Sequence, residues 1–232
     1  MKVNGIDARK YDAKQLTVEV SPPSIAVNYE WLTGAKTPTE FETEVKMGHL
    51  KLSMYFRGKD RTTIIRTMSE FMANFTKSCI LELDGYKGRF KGYMTADSYE
   101  NTVSKQRKKL SLEFDGYFYD EEVEITFDGV TKGSFYLVGS RPAPCIMEVT
   151  AKTALTNYAI SGFGSNDIII ETLAAGKTIV IDSMKGTVTL DGSTAFGMVD
   201  LWEFPAIRYG ETALIFSDAH AAVKIRYNPM WI

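Results

Sequence analysis

The stretch His49–Phe75, HLKLSMYFRGKDRTTIIRTMSEFMANF, contains two periodicities, and the change from one to the other decides the fold. Leu50, Leu52, Met54 and Phe56 alternate with Lys51, Ser53, Tyr55 and Arg57, so a strand presents one apolar and one more polar face. From Arg61 to Phe75 the apolar residues fall instead at Ile64, Ile65, Met68, Phe71, Met72 and Phe75. Those offsets gather on one side of a helix of about four turns. Asp60 stands where an N-cap belongs, and Gly58 before it frees the chain to turn in. A Met- and Phe-rich stripe of this kind serves to cover a sheet more often than to form a partner groove.

Strands surround this helix. Two are expected around Cys79–Leu83 and Arg89–Thr95, followed by a long hairpin to Tyr119 with its tip near Asn101–Lys109. On its return, Leu110, Leu112, Phe114 and Phe118 alternate with Ser111, Glu113, Asp115 and Tyr117. Asp-Gly pairs at 84–85, 128–129 and 191–192 favour the positive φ of hairpin turns. At Asp115-Gly116 the alternation runs straight through, which predicts a bulge rather than a turn. One helix packed on antiparallel strands describes an α+β domain. The turn-rich stretch FDGVTKGS, Phe127–Ser134, places a boundary that divides the chain into residues 1–130 and 131–232.

Beyond the boundary, short strands are expected at Phe135–Val138, Cys145–Thr150, Asn157–Ile160, Asp167–Glu171, Thr178–Asp182, Thr187–Leu190, Ala213–Ser217 and Val223–Tyr227. Strands of this spacing, separated by Gly, Pro, Asn and Asp, form a β-sandwich of jelly-roll type. The chain is mainly β.

At 232 residues, with 44% hydrophobic and 24% charged residues, this is a globular composition. A formal net charge of −2 lacks the positive field that attracts nucleic-acid backbones or anionic membranes. No apolar run approaches the roughly 20 residues that span a bilayer. MKVNGIDARKYDAK at the start lacks the apolar segment of a secretion signal. Cys79 and Cys145, far apart and without metal-ligand spacing, are expected to be unpaired.

The residues offer little chemistry. His49 follows Gly48 at the start of a strand, and His220 lies in SDAHAA, which reads as a hairpin tip. A Ser217-Asp218-His220 triad would have to form among neighbours in one turn, without a nucleophile elbow to expose the serine. Asp120-Glu121-Glu122 and Glu40-Glu42-Glu44 read as solvated faces rather than catalytic or metal groups. GFGSND, Gly162–Asp167, leads into a strand, so it provides no helix N-terminus for a phosphate. The basic run Lys105, Arg107, Lys108 and Lys109 sits at a hairpin tip with few interleaved aromatics. No catalytic residue, metal ligand or cofactor is predicted.

Self-association has a sequence basis. The segment Ser21–Glu44, with Pro22-Pro23, Tyr29, Trp31, Leu32 and Phe41, is long and irregular for a connection inside a compact domain. Its apolar side chains favour packing on a neighbouring subunit or on the domain's own sheet. Tyr29, Trp31 and Phe41, together with Leu50, Leu52, Met54 and Phe56, are the expected interface residues.

With these residues in view, the chain resembles the distal tail protein (Dit) family of long-tailed bacteriophages over nearly its whole length. The N-terminal half of the resemblance rests on His49–Phe75, on CILELDGYKGRFKGYMTADSY and on KKLSLEFDGYFYD. The C-terminal half rests on LAAGKTIVIDSMKGTVTLDG, where Gly176, Ile179, Ile181, Asp182 and Gly186 fall on the family's Gly-x-x-Ile-x-Ile-Asp hairpin. Phe204-Pro205, Gly210 and Leu214 fit its last segment, although Tyr209 replaces a usual proline and Thr212 a usual asparagine.

The resemblance implies a split-barrel-like N-terminal β domain with one helix and a galectin- or carbohydrate-module-like C-terminal sandwich, its last strand able to return to the first domain. It implies a non-enzymatic virion protein, made in the host cytoplasm, that forms a hexameric ring at the tail tip or baseplate. The implied partners are the tail tube protein, the tail-tip hub and receptor-binding or baseplate proteins, with DNA passing through unread and no membrane insertion. A second reading makes the C-terminal sandwich a carbohydrate- or cell-wall-binding module, with Trp202 and Tyr209, and also Trp231 and Tyr227, as stacking surfaces.

Overall fold

The structure, a computed structural model, describes residues 1–102, 104 and 106–231; the side chains of residues 42, 43 and 101 are outside that description. The chain divides into two units, Met1–Tyr119 and Asp120–Trp231. The division falls before the turn-rich stretch around residue 130, because Val123–Asp128 is already laddered to Ala221–Tyr227 of the second unit.

The first unit contains β1 (Lys2–Val3), β2 (Ile6–Asp7), β3 (Ala13–Ser21), β4 (Ile25–Glu30), β5 (Thr39–Val45), β6 (Gly48–Arg57), α1 (Arg61–Met72), β7 (Cys79–Glu82), β8 (Arg89–Asn101) and β9 (Arg107–Tyr119). Seven strands form one antiparallel sheet in the order β2-β1-β7-β8-β9-β6-β3. Its two outer strands, β2 and β3, share no ladder among the described residues, so the barrel is split. The short 3₁₀ turn Ala8–Tyr11 carries the chain from one edge to the other. Gln15 on β3 then bridges the seam: its amide nitrogen donates to Asp84 O at 2.9 Å, and its amide oxygen accepts from Asp84 N at 2.9 Å.

Helix α1 starts as its sequence dictates, with the Asp60 carboxylate accepting from Thr63 N at 2.8 Å. Ile64, Met68 and Phe71 are buried, and the last turn tightens into a 3₁₀ segment, Ala73–Phe75, that buries Phe75. The Phe71 ring meets those of Tyr11, Phe56 and Phe75 edge-on, with centroids 5.2–5.5 Å apart, and Phe75 continues the contact to Phe114 at 5.3 Å. Ile65, expected on this face, is instead exposed. Gly58 serves close packing rather than freedom to turn: a Cβ there would stand 2.7 Å from Ile64 Cγ1.

Asp115-Gly116 is regular strand, and the expected bulge lies opposite, on β8, where Thr95 is the extra residue between Met94 and Ala96. Gly116 has a packing reason. It faces Gly92 across the ladder, the Phe90 ring lies over the pair, and a Cβ at Gly116 would meet Lys91 O at 2.2 Å.

The second unit contains β10 (Val123–Asp128), β11 (Lys132–Tyr136), β12 (Ala143–Ala151), β13 (Leu155–Ser161), β14 (Ile168–Leu173), β15 (Thr178–Asp182), β16 (Thr187–Leu190), β17 (Ser193–Thr194), β18 (Val199–Asp200), β19 (Ala206–Ile207), β20 (Glu211–Phe216) and β21 (Ala221–Tyr227). One sheet runs β10-β21-β12-β15-β16-β17 and the other β11-β20-β13-β14-β18. The four-strand cores of these sheets, β10-β21-β12-β15 and β11-β20-β13-β14, have the jelly-roll order. Met147, Val149, Ile179, Ile181, Val223 and Ile225 from one sheet, and Tyr158, Ile160, Ile170, Leu214 and Phe216 from the other, are buried. The Phe127 ring on β10 reaches that of Phe216 on β20 at 5.5 Å, joining the two layers. Cys79 and Cys145 are free and buried, and burial raises their thiols to about 11 and about 12.

The Gly-x-x-Ile-x-Ile-Asp hairpin has a physical reading. Gly176 and Gly186 flank it at φ of 76° and 62°, where other residues are strained, and Ile179 and Ile181 point into the core. Asp182 holds the turn after β15. Its carboxylate accepts from Met184 N at 3.0 Å and Lys185 N at 3.1 Å, and pairs with Lys185 Nζ at 3.0 Å. Burial pushes this carboxyl's pKa up, but the Lys185 ammonium and the two N–H groups outweigh it and hold it below the ordinary carboxylate value.

Two outcomes follow. Phe71→Ala removes a wholly buried ring and should cost about 3–5 kcal/mol in urea unfolding, whereas Ile65→Ala should change stability by under about 0.5 kcal/mol. Because the Asp182 pKa is lowered by folding, its contribution is complete above the unfolded-state value and lost as pH falls through the folded one. Asp182→Asn should therefore lower the melting temperature at pH 6, with a difference from wild type that shrinks as the pH is taken down towards 2.

Candidate functional site

The segment expected to be an irregular arm is a β-hairpin. Among the described residues, strands β4 and β5 pair with each other alone, from Ile25↔Val45 to Glu30↔Thr39, with a bulge in which Phe41 and Glu42 of β5 stand against Asn28 of β4. Alternation along FETEV makes the strand. In the regular part of the ladder Ile25, Val27 and Val45 share one face and Ala26 and Glu44 the other, and beyond the bulge Tyr29 pairs with Glu40. The side chain of Glu42, expected in the acidic series, is outside the described residues. Tyr29, Trp31 and Phe41 are 66%, 62% and 58% exposed, and Ile25, Val27, Leu32 and Met47 are exposed with them. A two-stranded hairpin is marginal in water by itself, and this one also leaves these apolar side chains exposed.

The other expected interface residues belong elsewhere. Leu50, Leu52, Met54 and Phe56 are fully buried, because β6 turns them toward α1. They form the core of the unit and present nothing to a partner. The alternate residues of β6 form a polar ladder: His49 Nδ1 lies 2.9 Å from Asp115 Oδ1, and Lys51 Nζ lies 3.5 Å from Glu113 Oε1. At the β8–β9 tip, Lys108 stands over the Tyr99 ring at 4.9 Å and Lys109 pairs with Glu100 at 3.0 Å, while Lys105 lies outside the described residues. Much of this basic charge is therefore engaged locally.

The suspected triad is not assembled. Ser217 Oγ accepts from Ala159 N on β13 at 3.1 Å, tying the end of β20 to its neighbour. The Asp218 carboxylate accepts from His220 N at 2.7 Å, closing an Asx turn, and His220 Nδ1 lies 3.5 Å from the same oxygen, while the Ser217 hydroxyl is engaged with β13. Among the described residues, no group of three or more His, Cys, Asp or Glu residues is placed to hold a metal.

Of the four aromatics considered for stacking, two are otherwise employed. Tyr227 is buried with its hydroxyl accepting from Val138 N at 3.0 Å, and Trp231 donates from Nε1 to Asp120 Oδ2 at 2.7 Å. Trp202 and Tyr209 are exposed. Trp202 lines a cleft of about 440 Å³ with Ser165, Asn166, Asp167, Ile169 and Asp200, and Tyr209 is not part of its wall. Sequence reasoning flagged Trp202 and the loop Gly162–Asp167 separately; only the pairing of β14 with β18, Ile169↔Asp200, brings them together.

A helix-backed split sheet with a separate two-stranded hairpin, followed by a jelly-roll, is a β-rich two-unit architecture. Residues 138–231 match the family model of the siphovirus-type tail component, C-terminal domain. The whole chain is similar in structure to the distal tail protein Dit (gp 19.1) of phage SPP1, described as a paradigm of the hub adsorption apparatus in phages infecting Gram-positive bacteria. That match has a TM-score of 0.78 at 11% identity and covers 99% of this chain and 98% of the other. A chain of the phage P2 baseplate in its activated conformation with Ca matches with a TM-score of 0.50 at 9% identity, covering 96% of this chain and 92% of that one. No curated protein matches the sequence. Residues 138–231 thus match a siphovirus-type tail component domain, and the chain as a whole shares the fold of the SPP1 distal tail protein.

The roles of Ser217 and His220 are separable. Ser217→Ala frees the Ala159 N–H and should cost about 1 kcal/mol in chemical denaturation, while His220→Ala should leave the unfolding midpoint unchanged.

Proposed function

We propose that this chain is a structural, non-enzymatic virion protein of a phage or prophage tail tip, made in the host cytoplasm and assembled as a hexameric ring. The ring joins the tail tube protein to the tail-tip hub and to receptor-binding or baseplate proteins. The observation that carries this reading is the tail component match over residues 138–231, set within a fold shared along the whole chain with a phage hub protein.

The β4–β5 hairpin supplies the means of association. Its exposed apolar side chains, Ile25, Val27 and Phe41, gain by burial against a neighbouring copy, at about 25 cal/mol for each Å² removed from water. Tyr29 and Trp31 enlarge the same contact. The net charge of −2 fits a ring through which DNA passes without being read. Among the described residues no helix is long and apolar enough to cross a membrane, consistent with a subunit that joins proteins to proteins.

Light scattering and negative-stain electron microscopy test the reading. The wild-type chain should give rings of six, alone or on addition of its tail tube protein. Trp31→Asp with Phe41→Asp should give monomers with an unchanged melting temperature, since both side chains are exposed in the single chain. A wild-type protein that stays monomeric with and without the tube protein overturns it.

A further inference from the structure

We propose that the cleft around Trp202 is a binding site for a neutral oligosaccharide. Trp202 is 83% exposed, the highest value among the chain's large exposed hydrophobic residues, and it stands beside side chains that are nearly all hydrogen-bonding. Ser165, Asn166, Asp167 and Asp200 line the cleft, and Ile169 is its one other apolar residue. A single exposed ring amid four polar side chains is a poor centre for a protein interface, whose anchors are ringed by further apolar contacts. It matches a pyranose, whose C–H face lies flat on an indole while its equatorial hydroxyls reach outward.

The polar groups have capacity to spare. The Asn166 amide contacts Ser165 Oγ at 3.4 Å, and among the described residues neither the Asp167 nor the Asp200 carboxylate has a cation or hydrogen-bond donor. Ionised carboxylates are acceptors only, so they suit the O–H donors of a sugar. The same two charges, with no basic residue in the wall, repel phosphate and uronate groups, which sets the ligand class as neutral.

The wall is held in place before any ligand arrives. Ile169 on β14 is laddered to Asp200 on β18, so that carboxylate stands on paired backbone, and Asp167 directly precedes β14. The loop before β14 packs Gly164 against the Glu203 carboxylate, which is itself paired with Arg208 at 3.2 Å. A site of this kind gives up little conformational entropy on binding.

A glycan array probed with the full-length chain decides the matter, with neutral hexose and N-acetylhexosamine oligomers beside glycerol-phosphate and uronate oligomers. Neutral oligomers should be retained, with affinity reduced at least tenfold by Trp202→Ala and severalfold by Asp200→Asn. Tyr136→Ala, which removes another exposed aromatic of the same unit, should have no effect. Titration should also quench Trp fluorescence in the wild type and not in Trp202→Ala. Absence of binding to every neutral oligomer, equal binding by Trp202→Ala, or preference for the phosphorylated oligomers would each overturn the proposal, the first assigning Trp202 to a protein partner.

Discussion

The Phe71 ring is the contact around which the first unit is organised. It closes edge-on against Tyr11, Phe56 and Phe75, and so ties the helix to the 3₁₀ turn before β3, to β6 and to its own C-terminal turn. Through Phe75 the same cluster reaches Phe114 on β9. The apolar face of the sheet is thereby consumed within the chain. Of the exposed apolar residues of the unit, the most exposed, Tyr29, Trp31 and Phe41, belong to the β4–β5 hairpin and its tip.

The sequence made much of this visible because the relevant signals are local. Asp60 three residues before Thr63, and the spacing Ile64, Met68, Phe71, mark the helix and its buried side without any tertiary information. The alternation on β6 and β9 marks their two faces in the same way. What it could not mark is what covers each face, and so Leu50, Leu52, Met54 and Phe56 read equally well as core or as interface. The distinction lies in a long-range packing choice that period alone does not encode. The sandwich was similarly open to reading, since its eight expected strands are all present. The tenth strand escaped because its partner, Ala221–Tyr227, lies nearly a hundred residues away.

Glycines show the same limit. Gly176 and Gly186 announce themselves by flanking a β-branched strand, and their positive φ bears that out. Gly116 and Gly58 instead owe their identity to neighbours distant in space or turned back on the helix, a ring and a backbone carbonyl in one case and Ile64 in the other. Asp115-Gly116 therefore read as a bulge, when the irregularity belonged to its partner strand. The Trp202 cleft is a further case. Its loop and its tryptophan each drew notice, but β18 is a two-residue strand with no period to detect, and it is β18 that joins them.

The register of the hairpin decides what its exposed surface can offer. From Ile25↔Val45 to Val27↔Thr43 the ladder is regular, and Ile25, Val27 and Val45 share one face. Beyond it, Phe41 and Glu42 of β5 stand against Asn28 alone, and a bulge of this kind bends and twists the strand that carries it. Tyr29 and Glu40 pair past the irregularity, so the alternation of the sequence does not run unbroken along the hairpin. A bulged edge is a poor template for continuous strand addition. What the hairpin exposes is therefore a set of apolar side chains, Ile25, Val27, Tyr29, Trp31 and Phe41 among them, rather than a flat backbone ladder.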